Sequence, residues 1–305
     1  MSADSAAPGH AGDGVPSSAR PVTLVHGLSQ LAADRDVLIC DIWGVIHNGI
    51  ESFADSCAAL ARFRAGGGTV VLVSNAPRPF TSVLQQLEHL GVRRDSFDAI
   101  VTSGDITRGA IAARAGEPVF MIGPPRDRPI FDGLAARFVP VEEATYVVCT
   151  GLFDDETETA ETYRPMLTGL AGRKVPFICA NPDLVVERGD RLIPCAGALA
   201  ALYATLGGET LYAGKPHAPI YETAVAMAVE LRGKPIRPDR ILAIGDSIHT
   251  DVAGSAAMGF DCLFVARGIH AHEVGVPGRL TLAAVTAWAA RQPVAPAAVI
   301  PHLRW

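Results

Sequence analysis

Two rhythms of apolar and polar positions alternate along this chain. Val37-Leu38-Ile39-Cys40 is a short unbroken apolar run ending at Asp41, the pattern of a strand buried on both faces of a parallel sheet. Downstream, Phe53, Cys57, Leu60, Ala61 and Phe63 recur near one helical face until Gly66-Gly67-Gly68 stops them, so a helix follows the first strand. The same order then repeats. Thr69 to Val73 is apolar and ends in Ser74-Asn75, and Val83, Leu84, Leu87 and Leu90 mark a second helix closed by Gly91. Further strand-like runs cover 99–102, 119–122, 145–149, 175–179, 211–213, 241–244 and 262–265, most of them separated by helical patterns. Alternation of strand and helix predicts an α/β fold, a Rossmann-like parallel sheet with helices on its faces.

A chain of 305 residues suits one large domain plus a smaller one. The stretch 117–206 contains its own strands and helices but none of the acidic strand ends, so it reads as an inserted αβ domain. It divides a core made of residues 21–116 and 207–292. Gly116 on one connection and Gly207-Gly208 on the other are expected hinges, because glycine absorbs backbone rotation at low steric cost. Residues 1–20, rich in Ala, Ser, Gly and Pro, are expected to be disordered, and residues 293–305, with Pro293, Pro296 and Pro301, to be an irregular tail.

Composition narrows the function classes. A formal net charge of −6 with 49% apolar residues fits a soluble globular protein and supplies no broad basic surface for nucleic acid, so any anion must be held locally. Neither a membrane span nor the apolar core of a secretory signal is visible, which implies no membrane partner and a cytoplasmic location. The six cysteines lie without any Cys-x-x-Cys pairing and read as buried reduced thiols.

The chemistry lies at the strand ends. Asp41 closes the first apolar run, and Ile241-Leu242-Ala243-Ile244 delivers Gly245-Asp246 and then Asp251. Ligands of open parallel sheets gather where the carboxyl ends of the strands meet. Carboxylates converging there need a cation to offset their repulsion, and hard oxygen donors favour magnesium, which also bridges phosphate oxygens. A site for metal-assisted phosphoryl transfer is the expectation.

Four features occur in order: Asp41-Ile42-Trp43-Gly44-Val45, Ser74-Asn75, Gly214-Lys215-Pro216 and Gly245-Asp246 with Asp251. In this order they resemble the haloacid-dehalogenase-like (HAD) phosphohydrolase superfamily. Ala180-Asn181-Pro182-Asp183 followed by Cys195-Ala196-Gly197-Ala198 is similar to the class IIA subgroup, whose large αβ cap is inserted after the Ser-Asn strand. That subgroup includes phosphatases of nucleotides, phosphoglycolate, pyridoxal phosphate and nitrophenyl phosphate. The resemblance implies that Asp41 is the nucleophile accepting the phosphoryl group, that Ser74 and Asn75 bond its oxygens, and that Lys215 neutralises their charge. It further implies magnesium held by Asp41, the Trp43 carbonyl and Asp246, with Asp251 acting through water or orienting neighbours. Asn181 and Asp183 would face the substrate from the cap.

Trp43 departs from that pattern, since most hydrolytic relatives carry there an Asp that protonates the leaving oxygen and later activates water. Indole is a donor only, and loss of a general acid/base typically costs about 10²–10⁴ in rate. His47, in the loop just beyond the nucleophile, is the first candidate substitute, with His249 and His217 behind it. The leading reading is a magnesium-dependent phosphatase of a small phosphorylated metabolite, and a homodimer is compatible with it. The alternatives are a phosphometabolite-binding protein with little turnover and a phosphotransferase. Other features read more plainly: His270-Ala271-His272 as a solvated loop and the acidic run from Asp154 to Glu161 as a solvated helix start.

Overall fold

The computed structural model describes residues 21–188, 191–267, 274 and 280–305. The expected disorder of 1–20 and the pair His270 and His272 lie outside the described residues. Among the described residues, fourteen strands run in chain order: β1 (Thr23–Leu24), β2 (Val37–Asp41), β3 (Thr69–Ser74), β4 (Ala99–Thr102), β5 (Pro118–Ile122), β6 (Arg137–Phe138), β7 (Tyr146–Cys149), β8 (Phe177–Cys179), β9 (Val185–Arg188), β10 (Arg191–Pro194), β11 (Thr210–Tyr212), β12 (Ile241–Gly245), β13 (Asp261–Val265) and β14 (Ala298–Ile300).

Seven of them form the main sheet in the order β1-β14-β13-β12-β2-β3-β4, and every pairing in it is parallel. The central strands β2 and β12 are buried at every residue, which is why they read as continuous apolar runs: helices cover both faces, so neither face is free to be polar. The helix Ala54–Ala65 turns Cys57, Leu60 and Phe63 inward, and Gly67 follows its end at φ 87°, so the three glycines are a helix stop.

A second sheet, β11-β8-β7-β5-β6, is likewise parallel, with a separate antiparallel hairpin of β9 and β10. Chain order places this whole αβ unit between β4 and β12. Its sheet corrects the expected boundary at 206. Thr210–Tyr212 pairs with β8 as an edge strand, so the inserted unit runs through Tyr212, and Gly207-Gly208 lies inside it, joining the helix Ala196–Thr205 to β11, and is no hinge between units. The second crossing is instead Ala213-Gly214-Lys215-Pro216, whose Lys215–Pro216 peptide is cis. Period reasoning recognised the strand but cannot tell which sheet it joins.

The tail also differs from expectation. Ala298–Ile300 inserts between β1 and β13, Leu303 is buried, and the Leu303 carbonyl accepts from Ser56 Oγ at 3.3 Å. A three-residue apolar run flanked by prolines is too short to carry a period, but two neighbouring strands supply the backbone partners it needs. All six cysteines are buried, and none is in a disulfide. Among the described residues, no helix is long and apolar enough to cross a membrane.

Candidate active site

β3, β2 and β12 lie side by side, so Ser74, Asp41 and the residue after Gly245 emerge together at one end of the main sheet. Asp41, Asp246 and Asp251 are all buried, and one carboxylate oxygen from each lies within 4.8 Å of the others. Lys215, brought in by the second crossing, sits between two of them. Its Nζ is 2.7 Å from Asp41 Oδ1 and 2.7 Å from Asp251 Oδ1. Asp41 Oδ1 also accepts from the Ile42 N–H at 2.8 Å, and Asp251 Oδ2 accepts from the Ser247 N–H at 3.2 Å.

Charge explains the behaviour of the cluster. Burial and the charge of Asp251 push Asp41 up to about 7, against the pull of Lys215. Burial acts to lower the Lys215 pKa, but the charges of Asp251 and Asp41 outweigh it and raise the value well above the ordinary lysine range. By formal charge, three carboxylates against one ammonium leave two negative charges, which one divalent cation would balance. An all-oxygen, partly anionic donor set suits a hard cation such as magnesium. The backbone fits as well. Gly44, at φ 77°, approaches the Asp246 carboxylate so closely that a Cβ there would stand 2.0 Å from Asp246 Oδ2, which puts the peptide joining Trp43 to Gly44 beside that carboxylate.

Asn75 does something other than the phosphate contact expected of it. Its Oδ1 accepts from the Lys215 N–H at 2.7 Å, while its Nδ2 donates to the Lys215 carbonyl at 3.1 Å and to Asp183 Oδ1 at 2.9 Å. Both ends of the amide are thus occupied by protein groups, and Asn75 clamps the lysine strap to the main sheet and to the inserted unit. Asn181 Oδ1 accepts from the Asp183 N–H at 3.1 Å, a side-chain turn that sets the Asn181-Pro182-Asp183 loop. Burial raises the Asp183 pKa, opposed by the Asn75 bond.

A cavity of about 690 Å³ opens over this cluster, lined by Asp41, Trp43, Ser74, Asn75, Asn181, Asp183, Lys215 and Asp246 together with His249. His47 is not among its lining residues, which corrects the proposal that it replaces the missing acid. The imidazole is buried, its Nδ1 accepts from the Gly49 N–H at 3.0 Å, and its ring meets the Trp43 ring edge-on at 5.3 Å between centroids. Burial lowers its pKa to about 4, so the ring is neutral at physiological pH. Sequence proximity to Asp41 suggested a catalytic position, but the turn after β2, closed by the Ile46 and His47 N–H groups bonding to the Ile42 carbonyl, folds the histidine beneath the loop. His217 is stacked on Tyr212 at 4.3 Å and likewise does not line the cavity.

A neutral buried histidine has a consequence for stability. The unfolded chain takes up a proton near pH 6.5 and the folded chain only near 4, so stability contributed by neutral His47 is full above 6.5 and is lost as pH falls towards 4. His47→Gln is expected to flatten that acid limb in denaturant titrations of the metal-free protein. An unchanged limb would contradict the assignment.

Several cavity residues carried no readable signal. Arg78, Arg126 and Asp127 line it, and Asp155 joins them, its side chain 11% exposed and paired with Arg126 at 2.5 Å. The acidic run was expected to be wholly solvated, and at Asp155 it is not. No local pattern distinguishes that acid from its neighbours, because the pairing is with Arg126 in the distant 3-10 helix Pro125–Phe131.

A parallel α/β sheet whose strand ends gather a lysine-bridged aspartate cluster, with an αβ unit inserted between its strands, defines a haloacid-dehalogenase-like architecture. Family models described as haloacid dehalogenase-like hydrolase and HAD-hydrolase-like match residues 38–136 and 212–305. A hydrolase of the haloacid dehalogenase-like family from Brucella suis 1330 is 48% identical, with a TM-score of 0.80 over 92% of this chain and 100% of that one. The chain belongs to the haloacid dehalogenase-like hydrolase family. D-glycerol 3-phosphate phosphatase of Mycobacterium tuberculosis is 26% identical over 260 residues, 80% of this chain and 66% of its own length. Dihydroxyacetone phosphatase of Corynebacterium glutamicum is 33% identical over 94 residues, 30% of this chain and 32% of its own. The matched regions therefore span just under two thirds and about one third of these two relatives.

Proposed function

We propose that the protein is a magnesium-dependent phosphohydrolase acting on a small phosphate monoester through an aspartyl-phosphate on Asp41. The observation that carries this reading is the buried cluster of Asp41, Asp246 and Asp251 bridged by Lys215 at 2.7 Å on both sides. Structural groups of this kind are seldom assembled for stability, because burying several like charges is costly unless a ligand uses them. Family membership and the two curated phosphatases support the same reaction class.

Each residue then has a physical task. Asp41 attacks phosphorus with a carboxylate oxygen. Lys215 offsets charge on the transferring oxygens, and Asn75 fixes the lysine's backbone. Asp251 holds the ammonium from the far side. Ser74, lining the cavity, offers its hydroxyl to a phosphoryl oxygen. Asp41, Asp246 and the Trp43 carbonyl would hold magnesium, which supplies charge neutralisation to the phosphate. The inserted unit acts as a cap, with Asn181 and Asp183 facing the organic group and excluding water.

The metal assignment is tested by Asp246→Asn. Magnesium affinity measured by titration calorimetry is expected to fall by at least about 10–100-fold, the loss caused even by removing an outer-shell partner, with activity falling in parallel. Unchanged affinity would sink the assignment.

A further inference from the structure

We infer that the substrate is an aryl phosphate, a monoester whose leaving group is a phenol-type oxygen on an aromatic ring that stacks on Trp43. The inference rests on the phosphohydrolase reading and specifies the substrate class of that same site.

Three observations converge on it. The indole of Trp43 lines the cavity two residues from Asp41, and the residue is 38% exposed although its neighbours Ile42 and Val45 are buried. Its position is built rather than incidental. Gly49, at φ 87°, supports one edge of the ring so closely that a Cβ would stand 2.3 Å from Trp43 Cη2, and the buried His47 ring meets it edge-on at 85°. Leu152, Leu184, Val186 and Ile193 also line the cavity and supply apolar surface. A volume of about 690 Å³ lies in the range that encloses a drug-sized ligand. A three-carbon ester would leave most of it to water.

Leaving-group chemistry points the same way. With indole at this position the acid that the family resemblance implies for the departing oxygen is missing, and of the three candidate histidines His249 is the one that lines the cavity. An alkoxide cannot leave readily without that proton, whereas a phenolate can. An oxygen of Asp41 forms the bond to phosphorus as the bond from phosphorus to the phenolic oxygen breaks, and the phenolate departs with the electron pair. Water then attacks phosphorus, the bond to the Asp41 oxygen breaks with its pair returning to the carboxylate, and both water protons remain on the released phosphate. An aromatic ring against Trp43 also adds stacking beyond the burial of its area.

The test has two arms. In the first, phenylphosphonate and methylphosphonate are compared as inert ligands of the magnesium-loaded native protein, Trp43→Ala and Trp43→Phe. The phenyl compound is expected to bind the native protein about tenfold tighter, with the preference lost in Trp43→Ala and kept in Trp43→Phe. Gly49→Ala, which drives a methyl group into the ring, is expected to narrow the ratio as well. In the second arm, native kcat/KM across substituted phenyl phosphates should fall steeply as the pKa of the phenol rises, with alkyl phosphates slower than phenyl phosphate by about 10²–10⁴. A phenyl preference untouched by Trp43→Ala, or alkyl esters turned over as fast as phenyl phosphate, would overturn the proposal. An intact phenyl preference with no turnover of any ester, nitrophenyl phosphate included, would support the aryl subsite and overturn the hydrolase reading, so the two failures are distinguishable.

Discussion

Lys215→Met is expected to reduce turnover by about 10²–10⁴ and to destabilise the metal-free protein by about 3–5 kcal/mol. The first figure follows from removing a preorganised charge that faces the transferring oxygens, where one such donor is worth about 10²–10³ and a buried cation more. The second follows because the variant leaves Asp41 and Asp251 buried without their shared counter-ion, and breaking a buried pair costs far more than the pair contributes intact. The two effects should separate on adding magnesium. A divalent cation replaces the missing charge and restores much of the stability, but it does not restore the lysine's contact with phosphate. Urea titrations with and without magnesium, beside steady-state rates, measure both. A variant as active as the native protein would remove Lys215 from the reaction.

Trp43→Asp is expected to act in the opposite direction, raising kcat on alkyl phosphates by about 10²–10⁴, the usual contribution of a positioned acid/base. Nitrophenolate departs without a proton, so nitrophenyl phosphate should gain much less in the step that forms the aspartyl-phosphate. The ratio between the two substrates isolates acid catalysis from any general disturbance of the loop. The backbone at this position is held by the Gly44 N–H bonding to the His47 carbonyl at 2.8 Å, which does not involve the indole, so the turn has reason to survive the change. Equal gains on both substrates would mean that the missing acid is not what limits the native protein.

Much of the fold was legible because buried parallel strands leave a strong mark. Val37 to Asp41 and Ile241 to Gly245 are buried on both faces, and nothing in a loop or amphipathic helix imitates such a run. The strands that escaped notice, Thr23–Leu24, Arg137–Phe138, Val185–Arg188, Arg191–Pro194 and Ala298–Ile300, have two to four residues and owe their conformation to the strands they pair with. The cluster of Asp41, Lys215, Asp246 and Asp251 was legible for a related reason, since three of the four follow directly or closely on apolar runs. What lay beyond reach depended on contacts between distant segments. The true partners of Asn75 are Lys215 and Asp183, far away in the chain. His47 was misplaced because four residues of separation from Trp43 say nothing about which side of a turn a ring occupies. Its position props the indole instead of serving the cavity.

The central claim is that Asp41 carries the phosphoryl group, and acid-quenched mass spectrometry during turnover with magnesium tests it most directly. Native protein mixed with nitrophenyl phosphate is expected to show phosphate on the peptide containing Asp41, labile to hydroxylamine and absent from Asp41→Asn, whose rate should fall by about 10⁴–10⁶. Phosphate found on another residue, or turnover that survives in Asp41→Asn, would contradict it.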